Sequence, residues 1–410
     1  MLFMYDLIIV GGGAAGFFTA INAAEKNKNL KIAILDRGRE VLQKVKVSGG
    51  GRCNVTHACF EPTQLVNYYP RGNRELLQPF QQFNPTHTIE WFESRGVRIK
   101  KEADGRMFPV SNSSQSIIDC FLDACRKNCI EIITNTRVES IEKQDGQWQL
   151  HTIGNRQYLA KKLMIATGSD TAVWKLLENL GVSLVSPVPS LFTFNIKDER
   201  IQDLMGISVE NVVCQLSSAK NKILTTFSSN GAILITHWGL SGPAILKLSA
   251  WAARELRELN YDFEVIVNWL GKTDIEKIRQ HLHQQIGNQP KKNVLANAEF
   301  GLSIRLWKSL CIASGIGEYQ KWAETGKKHI SRLVEQLTAS RFSVNGKSTF
   351  KEEFVTAGGV ELAEVDFEKF SLKKYPDIYM AGEVLNIDAV TGGFNFQAAW
   401  TGAWIAAQHL

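Results

Sequence analysis

The chain has few cysteines, and none of them has the spacing of a disulfide framework, a zinc site or a redox pair. Seven cysteines occur in 410 residues, an odd number, and no Cys-x-x-Cys is present. This usage predicts reduced thiols in a cytoplasmic protein. No Cys or His spacing fits zinc, so no metal is expected. A packing or backbone role is favoured for Cys53, although Cys59 lies close enough to keep a redox role open.

We also expect neither a membrane-spanning segment nor a secretion signal. Residues 7–24 carry no charge over a length that could cross a bilayer, but Gly11–Gly13 and Asn22 fit a strand, turn and helix better. Asp6 interrupts the start of the chain, and no basic segment precedes it. We therefore expect no membrane partner.

Charge of one sign is not concentrated either. The net charge is +6, and the densest basic clusters, Lys291-Lys292 and Lys327-Lys328-His329, are short. Such scattered charge favours solvated faces over a nucleic-acid surface. The hydrophobic content of 44% and the charged content of 21% are those of a globular protein, and 410 residues predict two or three domains.

The first stretch of the chain carries the most informative motif. An apolar run at Leu7–Val10 predicts a strand buried on both faces, and a helical segment follows from Ala14. Between them stands Gly11-x-Gly13-x-x-Gly16, and a second apolar run, Lys31–Leu35, ends in Asp36. This order is the βαβ fingerprint of a dinucleotide-binding site.

Each residue of the fingerprint has a physical role. Gly11 permits the tight turn, Gly13 lets the backbone approach a pyrophosphate, and Gly16 lets the helix pack close to the strand. Free N–H groups and the helix dipole attract the phosphates. Asp36 can accept hydrogen bonds from a ribose diol.

Four further segments expose backbone in the same way. They are Ser48-Gly49-Gly50-Gly51-Arg52-Cys53-Asn54, Ala166-Thr167-Gly168, Ala381-Gly382-Glu383, and Asp388 with Gly392-Gly393-Phe394-Asn395. The second and third follow apolar runs, at the strand ends where open α/β sheets bind ligands. The last opens the final helix, and a helix start is an anion or carbonyl site. Ligand-binding loops therefore lie near both ends of the chain.

The middle of the chain has a different pattern of apolar residues. Alternating runs from about residue 191 predict an antiparallel β unit, a small barrel, and helical patterns follow over 296–313 and 319–339. In the first part, we also predict one helix over 80–95 and a serine-capped helix over 114–127.

These motifs together resemble the FAD half of the two-dinucleotide-binding-domain flavoproteins. Gly105-Arg106-Met107-Phe108-Pro109 and Thr236-His237-Trp238-Gly239-Leu240-Ser241-Gly242-Pro243-Ala244 narrow the resemblance to the YhiN/BaiN-type bacterial NAD(P)/FAD-dependent oxidoreductases. The match covers nearly the whole chain. It implies an α/β fold with a Rossmann-like FAD-binding domain over 1–190 and 351–410, an inserted β-barrel over 191–271 and 340–350, and a helical subdomain over 272–339.

The resemblance also assigns residues to FAD. It places the pyrophosphate at Gly13–Gly16, the adenosine ribose at Asp36, adenine at the backbone of Val138, and the flavin pyrimidine at Gly392–Asn395. The full predicted set is Gly11, Gly13, Ala14, Ala15, Gly16, Asp36, Arg37, Ser48, Gly49, Gly50, Arg52, Cys53, Asn54, Val138, Thr167, Gly168, Gly382, Glu383, Asp388, Gly392, Gly393, Phe394 and Asn395.

The implied activity is hydride transfer through the flavin to or from a small organic substrate, steroid-like and unsaturated in one branch of the family. A second nucleotide fingerprint is absent, so either NAD(P)H visits the flavin as a transient donor, which is favoured, or the substrate itself reduces the flavin and another acceptor reoxidises it. Two alternatives remain: an RNA-modifying flavoenzyme, which a coherent basic face on the insert would favour, and a non-catalytic redox sensor. Arg106 and His237 are candidate catalytic residues, although His237 can equally be structural.

Overall fold

The computed structural model describes residues 2–348 and 355–410 and divides the chain into two compact units. The first, here the terminal unit, comprises Met1–Val188 and Val355–Leu410. The second, here the insert unit, is Pro189–Phe354. The predicted boundary between residues 350 and 351 lies outside the described residues. The division into three parts stays a prediction.

The terminal unit contains most of the parallel strands. Its elements are β1 (Leu2–Val10), α1 (Ala14–Lys26), β2 (Ile32–Leu35), α2 (Gln43–Gly51), β3 (Thr56–His57), α3 (Pro62–Leu65), α4 (Leu77–Gln82), α5 (Pro85–Glu93), β4 (Ile99–Lys101), β5 (Arg106–Pro109), α6 (Gln115–Lys127), β6 (Glu131–Ile133), β7 (Val138–Gln144), β8 (Gln147–Thr152), β9 (Arg156–Ile165), α7 (Thr171–Asn179), β10 (Leu184–Ser190, whose last two residues enter the insert unit), β18 (Val355–Val360), β19 (Val365–Asp366), β20 (Ser371–Leu372), β21 (Ile378–Met380) and α13 (Phe394–His409).

The insert unit is antiparallel sheet followed by helices. Its elements are β11 (Thr193–Asn195), β12 (Ser208–Ser217), β13 (Ser228–Thr236), β14 (Gly239–Ser241), α8 (Pro243–Trp251), α9 (Ala253–Glu258), β15 (Asp262–Asn268), α10 (Ile275–Asn288), α11 (Ile304–Ala313), α12 (Lys327–Thr338), β16 (Ser340–Asn345) and β17 (Lys347–Ser348). Short 3₁₀ turns lie at Val66–Tyr68, Lys222–Thr226, Trp322–Glu324 and Leu362–Glu364.

The parallel core of the terminal unit has the order β21-β9-β1-β2-β6. Its register aligns the carboxyl ends of the strands, because Val10 lies opposite both Leu35 and Ile165, and Ile165 lies opposite Met380. The motifs that follow these strands therefore emerge at one edge. This arrangement confirms the predicted Rossmann-like α/β fold, and it is the edge at which such sheets bind ligands.

The seven-stranded sheet of the insert unit closes on itself. Its order is β16-β15-β12-β13-β14-β11-β17, and the two end strands are joined only by Gly346. The Gly346 N–H donates to the Tyr261 carbonyl at 2.9 Å, while its own carbonyl accepts from Asn195 N–H at 3.1 Å. The segment 340–348 thus pairs with β15 at one end and with β11 at the other, which closes the described strands into a small barrel.

Several predicted helices are shorter than expected. The single helix over 80–95 is wrong: Asn84 caps a new helix with Pro85 at its first position, which ends the preceding one at Gln82. The pattern over 296–313 forms a helix only from Ile304, and that over 319–339 only from Lys327. In the part of the chain that is described, no helix has the length and apolarity to cross a bilayer.

Candidate functional site

The turn between β1 and α1 is built on two glycines that tolerate no side chain. Gly11 has φ +112°, and a Cβ there would lie 2.4 Å from the Ala166 carbonyl oxygen at the end of β9. A Cβ on Gly16 would lie 2.0 Å from the Gly11 carbonyl oxygen. Both glycines are therefore required by the packing of strand, turn and helix, as the fingerprint predicts.

Gly13 is different, because the protein itself does not require a glycine there. Its backbone is extended at φ −93° and ψ −168°, and a Cβ would come no closer than 3.9 Å to another part of the chain, the Ala166 carbonyl. It is the N-cap of α1, which has no side-chain cap and no acidic residue in its first turn. The open space and free N–H groups are suited to a phosphate.

Asp36 organises the loop beside this turn. Its two carboxylate oxygens accept the N–H groups of Gly12 at 2.7 Å and Gly38 at 2.6 Å. Each oxygen keeps a second lone pair, so the carboxylate can still accept from a ribose hydroxyl. Val138, predicted to meet adenine, begins β7 and is buried.

A polar cluster follows β9 at the same edge. Thr167 has a buried hydroxyl oxygen for which the described residues offer no hydrogen-bond partner. Glu383 forms an ion pair with Lys44, and a Cβ on Gly168 would lie 3.6 Å from that carboxylate. Nearby in sequence, Asp170 caps α7 and pairs with Arg37 at 2.8 Å. The buried hydroxyl oxygen is the kind of group that a bound ligand satisfies.

The N-terminus of α13 meets residues that lie more than 330 positions earlier. Gly393 has φ +92°, and a Cβ there would lie 2.6 Å from the Thr56 carbonyl oxygen and 2.9 Å from Asn54 Oδ1. That Asn54 oxygen is buried, with no partner among the described residues. The Asn395 side-chain oxygen accepts the Ala389 N–H at 2.9 Å. The two predicted motifs, 48–54 and 392–395, therefore form one site.

Asp388 is fully buried and forms an ion pair with Arg71, whose side chain is 13% exposed. The structure thus gives Asp388 a structural partner, which sequence reasoning missed. A carboxylate with no solvent exposure requires such a partner, because burying an unpaired charge is very costly.

The Ser48–Gly51 segment is a break in a helix. The helical span Gln43–Gly51 contains Ser48 in an extended conformation and Gly49 and Gly50 in the left-handed region. No atom outside the chain neighbours of Gly50 would lie within 4 Å of a Cβ there. Gly50 and Gly51 therefore present open backbone, whereas a Cβ on Gly49 would lie 2.9 Å from Asn54 N. Ser114 does not cap α6 as expected; its hydroxyl donates to the Lys46 carbonyl instead.

An aromatic stack next to Gly392 was not predicted. Tyr68 and His57 both stack on Phe394, with ring centroids 4.2 Å and 4.6 Å away. A Cβ on Gly392 would lie 3.6 Å from the His57 ring, and burial lowers the pKa of His57. In the sequence, the available signal for His57 is that it lies only three residues after Asn54, a predicted site residue.

The candidate catalytic residues occupy different surroundings. Arg106 lies on β5 and pairs with Asp104 at 2.7 Å and with Glu102 at 3.6 Å, and Glu102 also pairs with Arg52 at 2.6 Å. His237 is exposed in the two-residue turn between β13 and β14. Their roles stay predictions.

Labelling of the native protein tests the thiol hypothesis. Burial raises the pKa of Cys53 to about 12, whereas Cys129 is exposed. Because the thiolate is the reactive form and burial disfavours it at Cys53, we expect iodoacetamide to modify Cys129 and spare Cys53. Mass spectrometry of the labelled peptides measures this, with urea-unfolded protein as the control. Rapid modification of folded Cys53 would contradict the buried packing role.

FAD fits this edge of the terminal unit. Gly13 leaves space where the pyrophosphate is expected, and the buried oxygens of Thr167 and Asn54 lack partners among the described residues. The helix starts of α1 and α13 provide free N–H groups without acidic residues in their first turns. These separate features match the two ends of a flavin dinucleotide.

The chain matches a known family over almost its whole length. Residues 5–409 match the family described as the HI0933-like protein Rossmann domain. A ribosomal RNA dihydrouridine synthase of Escherichia coli is 30% identical, covering 99% of this chain and 98% of that protein. A 3-dehydro-bile acid delta(4,6)-reductase of Clostridium scindens is 25% identical, covering 98% and 97%.

The fold is shared with a solved structure. A 3-ketosteroid-Δ4-(5α)-dehydrogenase from Rhodococcus jostii RHA1 superposes with a TM-score of 0.53, at 12% identity, covering 99% of this chain and 97% of that one. The chain therefore belongs to the HI0933-like protein Rossmann-domain family and is an enzyme of the FAD-dependent oxidoreductase class.

Proposed function

We propose that this protein uses FAD to reduce a carbon–carbon double bond conjugated to a carbonyl group, with NAD(P)H as the transient donor. We further propose that the bond is C5–C6 of a uracil base in ribosomal RNA. The observation that supports the flavin chemistry is the common edge of β1, β2, β9 and β21, where the glycine motifs emerge together.

In this proposal the residues of the chain bind and polarise FAD and do not themselves take part in the hydride transfer. FAD, when bound, supplies a two-electron carrier between a nicotinamide and an unsaturated acceptor. The uncapped start of α13 at Gly393 presents N–H groups and the positive end of the helix dipole, which favour negative charge at the flavin pyrimidine. The start of α1 at Gly13 does the same for the pyrophosphate.

The rest of the sequence supports NAD(P)H as a donor that binds only transiently. Gly315-Ile316-Gly317 follows α11 rather than a strand and has no third glycine at the required spacing, so it does not form a second fingerprint. The insert unit has a barrel and helices in place of a second doubly wound nucleotide domain. NAD(P)H would then visit the flavin and leave before the acceptor is reduced.

The substrate proposal draws on the E. coli relative, which is similar over almost its whole length. Dihydrouridine differs from uridine by two hydrogen atoms across C5–C6, a bond conjugated to the C4 carbonyl. The scattered charge of the sequence favours a small organic substrate over RNA. We give more weight to a relative that is similar over its full length and is named for ribosomal RNA.

A steroid-like substrate is the second candidate. The Clostridium scindens relative is named for the reduction of delta(4,6) double bonds in a 3-dehydro-bile acid. A double bond conjugated to a 3-oxo group presents the same electrophilic carbon to a hydride as uracil does. The two candidates therefore share a reaction type and differ in how the substrate is recognised.

Anaerobic assays of the purified holoprotein separate the candidates. We expect NADH or NADPH to bleach the flavin and in vitro transcribed ribosomal RNA to gain two hydrogen atoms at a uridine, measured by nucleoside mass spectrometry. A 3-oxo-4,6-diene steroid is assayed in parallel. Reduction of the steroid alone would favour the second candidate, and reduction of neither acceptor would overturn both.

A further inference from the structure

The helical part of the insert unit holds almost all of the chain's surplus positive charge. Residues 272–339 contain eleven Lys and Arg residues and six Asp and Glu residues, which leaves a surplus of five, whereas the whole chain has a net charge of +6. This helical part is only a small fraction of the chain. The charge that looks scattered along the sequence is therefore concentrated in one part of the fold.

Backbone pairing brings separate basic clusters together. Residues 290–294 run antiparallel to 320–323, with Trp322 N–H donating to the Lys292 carbonyl at 3.0 Å and Asn293 bridging to Lys321. This pairing sets Lys291 and Lys292 alongside Lys321. A 3₁₀ turn at Trp322–Glu324 then leads directly into α12.

The first turns of α12, which begins three residues after this 3₁₀ turn, add further cations. Lys328 and Arg332 lie four residues apart and therefore share a helix face. Lys327 stands one position earlier, at the helix start. We name the six exposed side chains of this surface the insert basic face: Lys291, Lys292, Lys321, Lys327, Lys328 and Arg332.

The salt bridges of the described residues do not involve the insert basic face. Among the described residues, none of its six side chains makes an ion pair. Three acidic residues of the helical part contact groups other than these side chains. Asp274 caps α10, Glu299 pairs with His281 at 2.7 Å, and Glu324 accepts the backbone N–H of Lys321. Glu276 pairs with Arg279 at 3.5 Å, and Glu318 and Glu335 are the two further exposed carboxylates of this part. The face is therefore left with a positive surplus.

The position of two lysines works against helix stability. Lys327 and Lys328 occupy the first turn of α12, where the helix dipole repels cations, and that turn has neither an acidic residue nor a side-chain cap. An anion bound at the face would remove this repulsion. An exposed aromatic lies nearby in sequence: Tyr319, 81% exposed, is two residues from Lys321. Such a ring offers a stacking surface for an unpaired base.

From this geometry we infer that the insert basic face binds the RNA substrate, with its cations on phosphates and Tyr319 stacked on an unpaired base. The inference rests on the proposed function and extends it from the reacting base to the recognition of the RNA. A steroid has no phosphate and would gain nothing from six unpaired cations.

The test compares two triple variants of the full-length holoprotein. In K292Q/K328Q/R332Q the face loses half of its charge. In the control K28Q/K127Q/K222Q, three exposed lysines without ion pairs among the described residues are neutralised elsewhere. Filter binding with radiolabelled ribosomal RNA, transcribed in vitro, measures the dissociation constant at several salt concentrations.

We expect the face variant to bind RNA about tenfold or more weakly, with the slope of log K against log salt concentration smaller by about two to three, while the control changes little. Tyr319→Ala should lower affinity about tenfold and leave the slope unchanged, since stacking releases no counterions. NADPH should bleach the flavin equally in all variants.

The outcomes separate the inference from the proposed function. If the wild type forms dihydrouridine and the face variant binds RNA as the control does, the inference is wrong and the proposed function stands. If the wild type forms no dihydrouridine but reduces the steroid, the proposed function fails, and the inference fails with it. Selective loss of RNA binding and of dihydrouridine formation would support both.

Discussion

Gly13→Val should give a folded protein that is colourless. The Gly13 backbone is extended, and a Cβ there would stand 3.9 Å from the nearest atom outside its chain neighbours, so the added side chain starts in open space, where the phosphate is predicted. Losing two charge-assisted hydrogen bonds of about 1.5–3 kcal/mol each would weaken FAD binding by roughly two to four orders of magnitude. Titration of the apoprotein with FAD, followed by flavin fluorescence, measures the change.

Gly16→Val is the matched control from the same turn. A Cβ at Gly16 would lie 2.0 Å from the Gly11 carbonyl oxygen, so this variant should lose the packing of α1 on β1 and unfold or aggregate. Circular dichroism and thermal melting separate the two variants. We expect Gly13→Val to lose no more than about 1 kcal/mol of stability from the weaker N-cap. A yellow Gly13→Val protein would disprove the assignment of the pyrophosphate.

Arg71→Met should destabilise the protein more than any surface substitution. Asp388 is fully buried, and removal of Arg71 leaves its carboxylate without this ion pair. Breaking a buried pair in this way costs about 3–5 kcal/mol, because the remaining charge is poorly solvated. Urea denaturation of the apoprotein measures the free energy of unfolding without a contribution from cofactor binding.

Arg126→Met is the corresponding control. Arg126 forms an ion pair with Asp123, but the side chains are 78% and 52% exposed. The expected loss is at most about 1 kcal/mol, as for other solvent-exposed pairs. Equal losses in the two variants would contradict a special role for the buried pair at Asp388.

The parts of the site that the sequence predicted are those formed by local chain geometry. The turn at Gly11–Gly16 and the strand that ends before Asp36 depend on neighbouring residues, so their spacing is visible without a structure. The small antiparallel barrel is predicted from alternation alone. Its strand order is not, because that order depends on which strands pair with Ser340–Ser348.

Other parts depend on contacts between distant residues. Phe394 stacks on Tyr68 and His57, and Arg71 pairs with Asp388, across more than 300 positions. No local pattern specifies such partners. The break before α5 is a different case: Asn84-Pro85 is a recognisable helix start, and the apolar periodicity across it obscured the signal.

The position of α13 in the chain has a consequence for protein synthesis. This last helix is buried against early segments: Trp400 Nε1 donates to the Val55 carbonyl at 2.9 Å, and Gln397 Oε1 accepts from the Thr56 and Thr88 hydroxyls. The continuous insert unit can close its barrel while the polypeptide is still growing. The earlier segments that pack on α13 must wait, with apolar surface uncovered, until α13 itself has left the ribosome. A chain that stops before α13 therefore lacks one wall of the proposed flavin site, and we expect it to stay colourless.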